Sequence, residues 1–323
     1  MIKRKVSKAK IKNERSPIKV KKVLKEKNNL IETTKEYLSD RKYKIKLDDL
    51  VNQKLREVIS LLSNEKFLLH GGSSSERFSK QLKLYEDVVK DVQSIISCIA
   101  YWGDNKHYHH MINKILARIS DNLKPQDGLL VDIYLRWYPL CLLLYSAGIA
   151  SIASKNYIAL SCIFTTRVQF PDNLYGTVPI LIPIGKAVAE LRGEFKTLPG
   201  HERYHAPRSE YLYKLLQPDL DNLLFLGNDY ERYFDHLEIF LALAYADFKY
   251  KPEGRVWGPL GRFAWKYRRD REGNTFSEIL EEAERQKDDW PPLKANLFSG
   301  SYERFIKIAK KFQEEILNNL KWL

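Results

Sequence analysis

Apolar residues recur at helical spacing along most of this chain. From Leu47 to Leu62, the residues Leu47, Leu50, Val51, Leu55, Val58, Ile59 and Leu62 share one face at steps of three and four. Asp48 and Asp49 occupy the first turn, where negative charge suits the helix dipole. From about Glu76 to Trp102, Phe78, Leu82, Tyr85, Val88, Val89, Val92, Ile95, Ile96 and Ile99 form a second face. Gly71 and Gly72 separate the two helices, with Ser74 or Ser75 as the expected cap, and Gly103-Asp104-Asn105 ends the second. A shorter helix is expected over about His107 to Asn122, then a turn over Lys124-Pro125-Gln126-Asp127-Gly128. Upstream, Val20 to Leu38 has the composition of a charged helix.

The most apolar stretch is Leu129 to Ala153, with no charge between Arg136 and Lys155. A membrane-spanning helix needs about 20 apolar residues. The apolar run here is shorter and is preceded by Asp132 and Arg136. Proline is tolerated only in a first turn, so Pro139 divides the stretch into one helix ending near Trp137 and another starting near Tyr138. Ala147, Gly148, Ala150, Ser151 and Ala153 leave room for a second helix to approach. Another apolar helix follows from Asn156 to Phe164.

Residues 170–208 are the least regular, punctuated by Pro171, Pro179, Pro183, Pro199, Gly200 and Pro207, with one helix expected from Ile182 to Leu191. Beyond them the helical period returns. Asn228 with Glu231, and Thr275 with Glu278, have capping-box spacing. Tyr230, Tyr233, Phe234, Leu237, Phe240, Leu241 and Ala244 form one stripe, and Phe276, Ile279, Leu280 and Ala283 another. Pro291-Pro292 is a break, and a last helix carries Tyr302 to Leu323. With no strand-rich block and no repeat, the expected fold class is all-α.

Charge adds an organisation that periodicity does not show. The chain carries a formal +13, but residues 1–30 hold twelve basic residues against two acids, a net +10. The other 293 residues carry only +3. The expected layout is a disordered basic arm over 1–30, N-terminal helices over 31–70 and a helical body over 71–323. Cys98, Cys141 and Cys162 are odd in number, widely spaced and set in apolar helical patterns, which fits buried thiols in a reducing compartment. No signal-peptide core follows the basic start, so a cytoplasmic location and no membrane contact are expected.

Candidate chemistry is sparse. His201-Glu202-Arg203-Tyr204-His205 matches HExxH, a zinc-peptidase motif that requires both histidines on one uninterrupted helix. Pro199-Gly200 and Pro207 argue against that helix, and a third ligand would be sought among Glu210, Asp219, Asp221 and Glu231. His107 and His110 lie one turn apart but lack an evident carboxylate or thiol partner beyond Asp104. His236, between Asp235 and Glu238, reads as solvated or as part of a structural ion pair. Asp132 and Arg136 have ion-pair spacing. The glycine-rich His70–Ser75 loop lacks the lysine of a phosphate loop. No cofactor or metal is expected. Trp265-Lys266-Tyr267-Arg268-Arg269-Asp270-Arg271 interleaves aromatics with cations, which suits stacking on bases and neutralising phosphates. The expected nucleic-acid contacts are Lys266, Arg268, Arg269 and Arg271 together with Lys3, Arg4, Lys5, Lys8, Lys10, Lys12 and Arg15 of the arm.

Five pieces in order resemble a helical module of bacterial proteins. They are Tyr85-Glu86 to Tyr101-Trp102-Gly103, then Arg136-Trp137-Tyr138-Pro139-Leu140 to Leu144-Tyr145-Ser146-Ala147-Gly148-Ile149-Ala150, and Tyr233-Phe234-Asp235-His236-Leu237-Glu238. Trp257-Gly258-Pro259-Leu260-Gly261-Arg262-Phe263-Ala264-Trp265 and Leu297-Phe298-Ser299-Gly300-Ser301 complete them. That module follows Toll/interleukin-receptor-like, sirtuin-like and other effector domains in antiviral-defence-type proteins, and the resemblance covers about residues 75–323. It implies a non-enzymatic sensor, adaptor or regulatory subunit. The first 75 residues are too short and polar for the usual effector, so the resemblance places any activity on a partner chain. The arm would contact DNA or RNA, or an acidic partner protein. The alternative class is a metal-dependent hydrolase, either a zinc peptidase through His201, Glu202 and His205 or a nuclease.

Overall fold

A computed structural model describes residues 17–63, 74–123, 130–170, 176–269 and 274–320. The seven arm cations Lys3 to Arg15, the glycine-rich loop, the turn after Lys124, and Arg271 lie outside the described residues.

The fold is all-α. Helix α1 (Pro17–Ser39) and α2 (Lys44–Leu62) are joined by a short 3-10 turn, Arg41–Tyr43, which Asp40 caps by accepting from the Lys42 amide at 2.9 Å. Helix α1 takes in the charged helix expected over Val20 to Leu38. The apolar face of α2 buries Leu47, Val51, Leu55 and Val58 as the period requires. Both helices lie against α3 (Ser74–Trp102), and Lys54 of α2 reaches Asp91 of α3 at 2.8 Å. Helix α3 begins at Ser74, so Ser75 stands inside it and donates to the Thr197 carbonyl at 3.0 Å instead of capping. Helix α4 (Lys106–Ser120) is capped by Asn105, whose side chain accepts from the amides of His107 and Tyr108.

Helices α5 (Leu130–Leu135) and α6 (Tyr138–Ala153) are divided at Pro139 as the sequence demands. From Tyr138 to Ile152 every residue of α6 is buried. The combined stretch Leu130–Ala153 is long and apolar enough by composition to cross a bilayer, yet 94% of its most apolar 18-residue window is buried inside the chain. It is the core helix around which the others pack. The hydroxyls of Ser146 and Ser151 donate back to Leu142 and Ala147 carbonyls at 2.9 Å, so no polar group is stranded there. Asp132 pairs with Arg77 of α3 at 3.4 Å, a cross-helix contact that four-residue spacing does not indicate.

Helix α7 (Tyr157–Thr165) follows, capped by Asn156. A small antiparallel hairpin, β1 (Arg167–Gln169) with β2 (Thr177–Pro179), pairs Val168 with Val178. Then come α8 (Leu181–Glu190), α9 (Arg192–Lys196), α10 (Pro207–Leu224) and α11 (Tyr230–Phe248). Asn228 is not a helix cap; it sits in a 3-10 turn, and Glu231 turns to cations of a later helix. The chain closes with α12 (Arg262–Arg269), α13 (Thr275–Gln286), α14 (Pro291–Lys294) and α15 (Tyr302–Glu315). Asn274, not Thr275, caps α13 by accepting from the Ser277 amide at 3.0 Å. One continuous core holds Ile31 and Leu47 from the N-terminal helices together with Phe305 and Phe312 of α15.

Cys98 and Cys141 are buried and Cys162 is half-buried, all with free thiols. Burial pushes Cys98 up to about 12 and Cys141 to about 11, and raises Cys162 as well.

Candidate functional site

Charge inside this fold concentrates where α6, α10, α11 and α12 meet. Glu238 lies on α11 between Phe234 and Leu241, at a position the helical period assigns to the apolar face, and is 2% exposed. An ionised carboxylate there is costly unless donors surround it. Three do. The Tyr145 hydroxyl donates to Oε1 at 2.9 Å, Ser209 Oγ to Oε2 at 2.8 Å, and the Arg262 backbone N–H to Oε2 at 2.9 Å. Arg208 stands 3.8 Å from Oε1 and donates to the Tyr145 oxygen at 2.8 Å. Burial raises the Glu238 carboxyl, and Arg208 with the hydroxyl donors pulls against that rise. Its acceptance from the first amide of α12 makes Glu238 a helix cap supplied from another helix.

The loop Trp257 to Gly261 runs along α11 at backbone contact distance. A Cβ on Gly258 would lie 2.3 Å from the Ala242 carbonyl oxygen, and one on Gly261 1.9 Å from Glu238 Oε2. The two glycines thus meet α11 one turn apart. A second layer lies beyond. Arg262 donates to Glu231 at 2.8 Å, stands 3.5 Å from Asp235, and lays its guanidinium 3.7 Å from the Tyr213 ring centre. Lys266 bonds both Glu231 and Asp235. Burial pushes the Asp235 carboxyl up to about 6, with Lys266 opposing. Trp265 Nε1 donates to Glu210 at 3.2 Å.

The described cations of the basic patch each have a contact within the chain. Lys266 is committed inward to two carboxylates, Arg268 donates to the Leu320 carbonyl, and Arg269 lies over Trp265 at 5.1 Å. Sequence reasoning also misses Glu238 and Asp235 as buried groups. The legible signal is their place on the stripe: Glu238 is four after Phe234 and three before Leu241.

The HExxH residues form turns, not a helix, so the two imidazoles lack the one-turn spacing that zinc needs. His201 Nδ1 is 3.2 Å from the Pro199 carbonyl, Glu202 accepts from the Gly200 amide, and His205 faces elsewhere, onto a cavity. The further ligand candidates are engaged: Glu210 with Trp265, Asp219 with Lys90, Asp221 with the Gly227 amide and Glu231 with Arg262. Among the described residues no group of three His, Cys, Asp or Glu is placed to hold a metal ion. His107 sits 3.5 Å from Asp48. His236 is half-buried, 4.0 Å from Glu278, and desolvation with Arg232 pushes it down to about 4.

Two cavities flank the charge cluster. A larger one of about 590 Å³ between α7, α11 and α13 mixes Arg232, Lys155 and Arg285 with Glu278, Glu281 and Glu282. A compact one of about 160 Å³ lies between the end of α8, the start of α10 and the Trp257–Leu260 loop. No family model, no curated protein and no solved structure matches the chain.

Proposed function

We propose that the chain is a non-enzymatic sensor or adaptor subunit of a bacterial defence-type assembly, contacting nucleic acid through its basic N-terminal segment. The observation that carries this reading is where the charge is left over. In the body the buried acids Glu238, Asp235 and Asp247 each meet cations of the same chain. That interior charge serves architecture. The unbalanced charge belongs to residues 1–30, twelve basic residues against two acids. A polyanion neutralised by such a segment releases counterions, which gives binding without sequence preference and a steep salt dependence. The resemblance to modules behind effector domains supplies the adaptor half of the proposal, with catalysis assigned to a partner.

The test is fluorescence anisotropy with a labelled duplex DNA and a labelled single-stranded RNA, across a salt series. Full chain is compared with chain lacking residues 1–16, a cut that removes seven cations and one acid and leaves α1 in place. The expected result is at least about ten-fold weaker binding of the truncated chain, and a salt slope shallower by about 0.7–0.9 for each phosphate that the shorter chain leaves unneutralised. Equal affinity and slope in both chains would refute the proposal.

A further inference from the structure

The compact cavity is lined by Val188, Ala189, Ala206, Pro207, Pro259 and Leu260 on its apolar side. Its polar lining comes from Arg192, His205, Arg208 and Ser209, and it contains no carboxylate. Arg192 is exposed at the rim and also reaches the His205 carbonyl at 3.3 Å. Arg208 is 6% exposed, and its guanidinium is fixed by the Tyr145 hydroxyl and the Leu260 carbonyl, with its charge balanced by Glu238 at 3.8 Å, so the floor is rigid and the free charge of the site is that of Arg192. The floor is also the first turn of the 18-residue helix α10, which begins at Ala206-Pro207 with no side-chain cap. Trp257, 41% exposed and edge-on to Tyr245 at 5.2 Å, gives the mouth an aromatic wall.

Size and chemistry select the occupant. An apolar cavity of about 150 Å³ holds benzene, so about 160 Å³ is the room of one ring. Arg192 at the rim, with no carboxylate in the lining, disfavours a cation and favours an anion. A ring-free anion would leave the apolar walls wet, and a neutral ring would leave Arg192 without a gain. We propose that this cavity binds a small aromatic anion, one planar ring seated among Val188, Ala189, Pro259 and Leu260 with its phosphate or carboxylate against Arg192 and the start of α10. The site would give a sensor its input. It stands apart from the basic N-terminal segment, so failure of either idea leaves the other intact.

The test is titration calorimetry of the full chain with phenyl phosphate, against inorganic phosphate and benzyl alcohol as ring-free and charge-free controls. Two variants accompany it: R192Q, an exposed change that leaves the core untouched, and A189L, which fills the cavity from a half-buried position. Their thermal unfolding, matched to the parent, establishes that they fold. Phenyl phosphate is expected to bind one to one, at least about ten-fold tighter than either control, the worth of one charge-assisted hydrogen bond. R192Q is expected to weaken it about ten-fold or more and A189L to abolish it. The proposal is overturned if phenyl phosphate shows no heat with a Kd below about 1 mM, if either control binds as tightly, or if either variant binds as the parent does.

Discussion

Gly261 has no room for a methyl group. The carboxylate it would strike is fully buried and held by three donors, so Glu238 cannot move aside without stranding a charge. Gly261→Ala is expected to cost about 2–4 kcal/mol in chemical denaturation. Gly193 in α9 is the control, since a Cβ there meets nothing within 4 Å. Gly193→Ala is expected to be neutral or to stabilise by up to about 1 kcal/mol. Equal effects from both would show that the crowding around Glu238 relaxes freely. At this scale the sequence is only partly legible. The acid four residues after Phe234 announces a polar group on an apolar stripe. That its donors come from Tyr145, Ser209 and Arg262 depends on three separate helices converging, which local spacing does not encode.

Helix α6 shows what an element takes from its neighbours. Its apolarity and the break at Pro139 are legible because both are local properties of the chain. The caps are less so. Asn228 and Thr275 have the right chemistry, but the caps of α11 and α13 are set one residue away, and Glu231 is drawn off by Arg262 and Lys266. Small residues in α6 let α11 approach, and at Gly148 a Cβ would lie 2.5 Å from Leu237 Cδ1. Gly148→Ala gains about 1 kcal/mol of helix propensity and loses about 1–3 kcal/mol to overpacking against a fully buried leucine. A net loss of up to about 2 kcal/mol is expected. Pairing it with Leu237→Ala tests the cause: the double variant should be more stable than the sum of the two single losses implies, by about 1 kcal/mol or more. Strict additivity would place the strain elsewhere.

For the whole molecule, the same core runs from the N-terminal helices to α15. The glycine-rich loop at Gly71-Gly72 suggests a boundary near residue 70, between the N-terminal helices and the body. Packing crosses that line through Ile31, Leu47, Val51 and Leu55, through Lys54 with Asp91, and through the Tyr108 hydroxyl on the Leu38 carbonyl. Cooperative unfolding follows buried contacts, not the position of a loop. Scanning calorimetry is therefore expected to show one transition, with van't Hoff and calorimetric enthalpies agreeing. A separate early transition, with hydrogen exchange assigning it to residues 28–62, would mark those helices as an independent unit.

The three cysteines give this molecule a quiet chemical background. Alkylation requires an accessible thiolate, and burial denies both conditions to Cys98 and Cys141 while it raises Cys162. Cys98 sits in α3, Cys141 in α6 and Cys162 in α7, three helices of the centre. The rate at which each thiol becomes reactive is thus a built-in clock for opening of the helix that carries it, read by mass spectrometry without any engineered probe.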